Sequence, residues 1–204
     1  MRRRSHSPVS AYTAAFLIAA CMSIASGQPV GDRQGRQSPF IAGNARAAAL
    51  GEATGALPGG LEGVPSNPAT LAWLTGPHGE YTFHRVSSRA SLQHAAAGFS
   101  VGTGSAVAVH ADMLHYGELD FFSRSALRTR GFELTGGASF ATMLSDDLAA
   151  GLTVNACNAT TDTDPVWAFA ADAGLAYQPG RYHSFGFSLR GFGTDYRIEH
   201  PVLP

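Results

Sequence analysis

The chain has 204 residues, 45% of them hydrophobic and only 14% charged; its 14 basic residues are all arginine, 15 are acidic, and the net charge is −1. Ordinary soluble domains carry about 25% charge, and disordered chains carry more charge and fewer aromatics than the 10% found here. No basic footprint marks a nucleic-acid binder, two cysteines supply neither a disulfide framework nor a zinc site, and no long apolar run follows the N-terminal region to form a membrane-spanning helix.

Met1-Arg2-Arg3-Arg4 precedes an uncharged, mostly apolar stretch over 11–25. A basic start, a short apolar stretch and small residues after it describe a secretory signal. Cleavage after Gly27 leaves Gln28 as the first mature residue. Ile18-Ala19-Ala20-Cys21 is a lipoprotein-like alternative, disfavoured because the apolar stretch continues past Cys21. A twin-arginine signal fits less well, as no apolar consensus directly follows the arginines. Removal of 1–27 takes away three arginines and no acid, moving the charge from −1 to −4. The expected destination is outside the cytoplasm.

Residues 28–78 read as an N-terminal extension with short helices. Gln28 to Phe40 is a polar lead, and Asn44 is placed to cap an Ala-rich helix from Ala45. Leu57 to Ser66, rich in Gly and Pro, is loop chemistry. Asn67-Pro68-Ala69-Thr70-Leu71-Ala72-Trp73-Leu74 predicts a short helix with Asn67 at the cap and Pro68 in the first position. A plain capped turn accounts for the same residues. With no lysine in the chain, a phosphate-binding P-loop is excluded.

From residue 79 to 204 the pattern changes to alternation, the period of a strand with two unlike faces. Phe132, Leu134, Ala138 and Phe140 oppose Glu133, Thr135 and Ser139; Ala150, Leu152, Val154 and Ala156 oppose Gly151, Thr153, Asn155 and Cys157. Trp167, Phe169, Ala171, Ala173, Leu175 and Tyr177 oppose a face with Asp172, and Phe185, Phe187, Leu189 and Gly191 oppose Ser184, Gly186, Ser188 and Arg190. Fainter strands are expected at 81–86, 94–101, 105–116 and 118–122, making eight at most. Ser145-Asp146-Asp147 and 178–181 read as short hairpins, and Asn158 to Pro165 as a longer polar loop.

A soluble sandwich and a membrane barrel both use such strands. Three features favour the barrel. The strands approach 10 residues, beyond the 5–6 usual in globular sheets. Their polar faces are mostly small and uncharged. Aromatics stand near strand ends at Tyr81, Tyr116, Trp167, Tyr177 and Tyr182, as interfacial girdles do. The expected fold is all-β: an antiparallel transmembrane β-barrel, incomplete at 7–8 strands, with a short helical N-terminal plug.

Arg46-Ala47-Ala48-Ala49-Leu50-Gly51-Glu52-Ala53, then Pro65-Ser66-Asn67-Pro68-Ala69, resembles the N-terminal signature of the PorV/PorQ outer-membrane family, within the wider FadL-like barrels. Tyr116-Gly117-Glu118, the 145–154 segment and Asp172-Ala173-Gly174-Leu175-Ala176-Tyr177 continue the likeness in order. Gly191-Phe192-Gly193 departs from the Asn-Leu-Gly usual there. The resemblance implies a barrel of about 14 strands, an even number as such barrels have, around an N-terminal plug. The chain is shorter than the family's members and has no terminal aromatic residue, so a fragment or a half-length barrel that closes with another chain is expected. The implied role is in type IX protein secretion or surface attachment; a FadL-like transporter of hydrophobic compounds is one alternative and a secreted adhesive sandwich another. The implied partners are outer-membrane lipid with secretion components, cargo proteins or hydrophobic small molecules, and no nucleic acid.

No enzyme chemistry stands out, and no cofactor or metal is expected. Alternation puts His110 and Asp112 on one face and His115 on the other, against joint ligation. Asp162 and Asp164 lack the glycine and terminal glutamate of a calcium loop. No Gly-x-Ser-x-Gly elbow is present, and Cys157 fits a strand position. The residues singled out are therefore structural: Asn67, Pro68 and Ala69 in the plug, and Asp172 on the lumen side of its strand.

Overall fold

The computed structural model describes residues 43–88, 90–120, 128–160, 166–180 and 182–193. The proposed signal, the polar lead from Gln28 to Phe40, and Asp162 and Asp164 lie outside them.

Seven antiparallel strands form one sheet in sequence order: β1 (His78–Arg85), β2 (Ser91–Gly102), β3 (Ser105–Asp120), β4 (Arg128–Met143), β5 (Leu148–Thr160), β6 (Val166–Tyr177) and β7 (Phe185–Gly193). The all-β, antiparallel expectation holds. Five of the strands have 12 to 16 residues, twice the common globular length. Where eight strands were expected, the segment at 105–116 and the described part of that at 118–122, up to Asp120, belong to one strand, whose register against β4 shifts between His115 and Glu118. Such a bulge breaks the alternation without ending the strand, which is why the sequence reads as two pieces. Asn158, Ala159 and Thr160 likewise extend β5 and are not loop.

Alternation assigns the two faces. One face carries Phe99, Val109, Phe140, Leu152, Val154, Trp167, Phe169 and Phe192, all exposed, with Trp167 at 59%. The opposite face carries Glu80, His94, Asp112, Glu133, Ser139, Thr153, Asn155 and Asp172, buried or half-buried. The register confirms the sides: His94 pairs with Asp112, Asp112 with Thr135, Ser139 with Thr153 and Thr153 with Asp172. At β7 a second register shift falls opposite Ala171 and Ala173, with Gly191 at φ +77°, so Phe192, not Gly191, takes the apolar side.

Residues 43–74 cover the polar face. Helix α1 (Ala45–Ala49) is capped by Asn44, whose side chain accepts from Ala47 N, and a 3-10 helix (Pro68–Trp73) is capped by Asn67. Both caps fall where the sequence places them. The 3-10 helix lies on β3, β4, β5 and β6. Leu61, Val64, Ala69, Leu71, Ala72 and Leu74 form a core with Ala106, Ala108, Ala141, Ala149 and Ala176 of the sheet. The small alanines leave room for the segment's leucines.

Glycines bring the backbones together. A Cβ built on Gly151 would stand 2.4 Å from the carbonyl carbon of Pro68 and 2.5 Å from Ala69 N, and one on Gly174 would stand 1.9 Å from Asn67 Oδ1. Gly151 and Gly174 are cross-strand partners, so together they form a bare strip under the turn. Gly151→Ala is expected to destabilise by about 1–3 kcal/mol, as overpacking against backbone does. Gly102→Ala, with nothing within 4 Å of its Cβ, should be near neutral. Denaturant unfolding of both variants checks the difference.

Candidate functional site

The covered face has two parts. Toward the rim formed by 103–104, 144–147, 178–180 and 182–184, it is a bed of Gly, Ala and Ser under the 3-10 helix. Further along the strands it becomes a polar network.

Asn67 joins the bed to the helix. Its Oδ1 accepts from Ala69 N at 3.0 Å; its Nδ2 donates to Gly55 O at 2.8 Å and to Leu175 O at 2.9 Å. Thr70 Oγ1 donates to Asn67 O at 2.8 Å. Asn67 is 1% exposed, so each bond substitutes for one to water, and a buried polar atom left unmatched is costly. Aspartate could cap the helix but has no donor for the two carbonyls. Pro68 suits the first helical position because it lacks the N–H that would have no partner there. Ala69 is fully buried on Gly151. The three residues singled out from the sequence thus form one contact.

Asp172 lies on the same face of β6, two residues from Gly174. Its Oδ2 accepts from Asn155 Nδ2 at 2.7 Å, and its Oδ1 from Gly191 N at 2.7 Å. The second bond satisfies the amide that the β7 bulge displaces from the ladder. Nearby, Ser139 and Thr153 share a hydrogen bond at 2.7 Å, Arg190 Nη1 donates to Pro65 O at 2.9 Å, and the Cys157 thiol faces Glu133 Oε1 at 3.7 Å. Cys157 is buried in the strand.

The most concentrated group was not singled out from the sequence. His94, 1% exposed, faces Glu80 Oε1 through Nε2 at 2.9 Å and Asp112 Oδ1 through Nδ1 at 2.6 Å. Ionised carboxylates only accept, so with both ionised the ring donates from both nitrogens as an imidazolium. Asn44 Nδ2 reaches Glu80 Oε1 at 3.4 Å, and a Cβ on Gly43 would stand 2.9 Å from His94 Nδ1. β1, β2, β3 and the N-terminal segment therefore meet at one ring. The strand expected at 81–86 began one residue too late to include Glu80. The available signal was the Gly102-Thr103-Gly104 turn: folding the hairpin about Thr103 pairs His94 with Asp112. His115 is on the opposite face from His110 and Asp112, as alternation indicates, and among the described residues no three His, Cys, Asp or Glu side chains are arranged so that they could hold a metal ion.

No protein-family model matches the chain, and no curated protein matches it.

Two substitutions separate the roles. Asn67→Asp keeps the cap and loses both carbonyl contacts, so it should destabilise by about 1–3 kcal/mol. His94→Ala leaves two carboxylates facing each other without the ring; it should cost about 3 kcal/mol, the low end for breaking a buried pair, since both carboxylates keep some water contact. Urea or guanidinium unfolding of the purified variants measures both.

Proposed function

We propose that the chain forms the wall of an outer-membrane β-barrel, with residues 43–74 as its internal plug, in a non-enzymatic protein of the PorV/PorQ type. The supporting observation is the distribution of charge over the sheet. Each described acidic side chain in the strands, Glu80, Asp112, Glu133 and Asp172, stands on the covered face. The uncovered face carries no described acidic side chain and is mostly apolar across all seven strands, with Arg85, Gln93, His115 and Asn158 toward the opposite rim. Soluble monomers expose contiguous apolar patches of only a few hundred Å². A sandwich would put this apolar face against a second sheet, whereas the described strands form one sheet with that face open.

The apolar face is also graded. Phe99, Phe140, Tyr177 and Phe185 stand toward one rim, and Phe83, Phe132 and Trp167 toward the other. Between them come Ala95, Ala97, Ala111, Gly136, Ala138 and Ala156. Phe132 and Phe140 are separated by about 26 Å along β4 at the usual rise per residue, which at the usual barrel tilt is about 20 Å of height, somewhat less than the apolar band between aromatic girdles. Closure into a barrel removes the free edges that lipid does not tolerate. The secretion or surface-attachment role comes from the resemblance carried by 45–74 and its continuation through the strands.

Carbonate extraction and heat-modifiable gel mobility test the membrane assignment. The protein should stay in the membrane pellet and migrate differently before and after boiling; release at high pH with unchanged mobility would refute the wall. Val154→Arg, at the centre of the apolar face, should lower folding yield in lipid by the equivalent of about 2–4 kcal/mol. A cargo protein copurified from the native host supports the secretion role, and a bound hydrophobic compound in its place would identify a FadL-like transporter.

A further inference from the structure

Residues 43–74 are held unevenly. From Thr54 onward the segment is anchored: Thr54, Leu61, Val64, Asn67, Ala69, Thr70, Leu71 and Leu74 are buried, and the Asn67 turn sits flush on the glycine strip. Ahead of Thr54 the hold is light. In α1 only Ala47 is buried, and Leu50 is 45% exposed. Among the described residues, what fastens this part is the long Asn44–Glu80 hydrogen bond, the close approach of Gly43 to the His94 ring, and an ion pair between Arg46 and Glu62. The Arg46 side chain is 63% exposed while that of Glu62 is 8% exposed. Between the two parts the backbone turns through consecutive left-handed residues, Gly51 at φ +60° and Glu52 at φ +63°. Glycine adopts that region freely. Glutamate does so at a cost, which opening would relieve.

We propose that residues 43–50 are a strap that swings off the sheet about Gly51 and Glu52 while 54–74 stays docked, uncovering the Glu80–His94–Asp112 cluster. Local opening is drawn from elements with few buried apolar contacts, which describes 43–50 and not 61–74. The groups facing the cluster hold the strap in charge-dependent fashion. Glu80 on β1 and Asp112 on β3 flank His94, with His110 on β3 beside the same small gap under Leu61, Val64 and Pro65. Arg46 ties the strap to the anchored Glu62. With the strap closed, the imidazole is shut away and its two carboxylates keep only part of their water contact. With the strap open, a site bearing both charges faces the space enclosed by the wall. As a gate this rests on the reading of the covered face as a barrel interior; as a local opening it rests on the segment's own contacts.

Hydrogen exchange on the full chain in detergent tests the strap, read by mass spectrometry on peptides from 43–53 and 61–74. Arg46→Gln, which removes the charge but keeps an amide donor toward the buried Glu62, and Glu80→Gln should each speed exchange in 43–53 by about tenfold, with 61–74 unchanged. Gly151→Ala should speed exchange in 61–74. Equal acceleration in both peptides after Arg46→Gln would show that the segment opens as one unit and overturn the strap, as would no change in 43–53 in either variant. Carbonate extraction of the same variants is read separately. A chain that washes out but shows selective exchange refutes the membrane wall and leaves the strap. A chain that stays in the membrane with uniform exchange does the reverse.

Discussion

The contact on which the covered face depends is the seating of Asn67-Pro68-Ala69 on Gly151 and Gly174. Two adjacent strands present no side chain there, so a third backbone comes within van der Waals distance of the sheet. That approach lets Asn67 Nδ2 reach the carbonyl of Leu175, a strand residue, while Oδ1 still caps the helix. A methyl group on either glycine would lift the turn and break both functions. The leucines of 61–74 reach the alanine bed only because this turn sets their height.

Once the segment is seated, water is excluded from polar side chains that an ordinary sheet would leave in solvent. Each must then find a partner or carry the cost of desolvation. The structure meets this with short bonds between neighbouring strands: Ser139 with Thr153, Asn155 with Asp172, and His94 with Glu80 and Asp112. The apolar face receives no such treatment. Its phenylalanines and Trp167 stand open with no charged side chain among them at mid-strand. An arrangement that spends its hydrogen bonds on one face and leaves the other greasy is stable where the outside is hydrocarbon. That asymmetry, together with strand length, is what the proposed wall explains.

Much of the sheet was legible because alternation is a local signal. Phe132 to Phe140 and Trp167 to Tyr177 declare their two sides without knowledge of any neighbour. The same signal failed where a strand carries an extra residue. The bulge after His115 made one strand look like two, and the shift at Gly191 exchanged the sides of Gly191 and Phe192. The Asn67 cap was legible because it is made within three residues. Its bond to Leu175 was not, for it spans 108 positions. The His94 cluster was hidden for the same reason. Its members come from three strands, and their meeting depends on register, which the alternation of any one strand does not contain.

The two parts of the covered face do different work. The glycine and alanine bed offers shape and the backbone carbonyl of Leu175; it holds the segment through close packing and an uncharged hydrogen bond, neither of which depends on charge. The His94 cluster offers charge, and it meets the segment through Gly43 and Asn44, where the backbone touches the ring but buries little apolar surface. An ion between two carboxylates is a poor source of net stability, because desolvation consumes much of the attraction. Its persistence under a lightly held helix therefore needs a reason other than holding the fold together. Burial of an ion pair beneath a segment that can leave makes the closed state depend on the charges below it. The shape-based anchor at Asn67 is what allows that segment to depart without the rest of the covering following it.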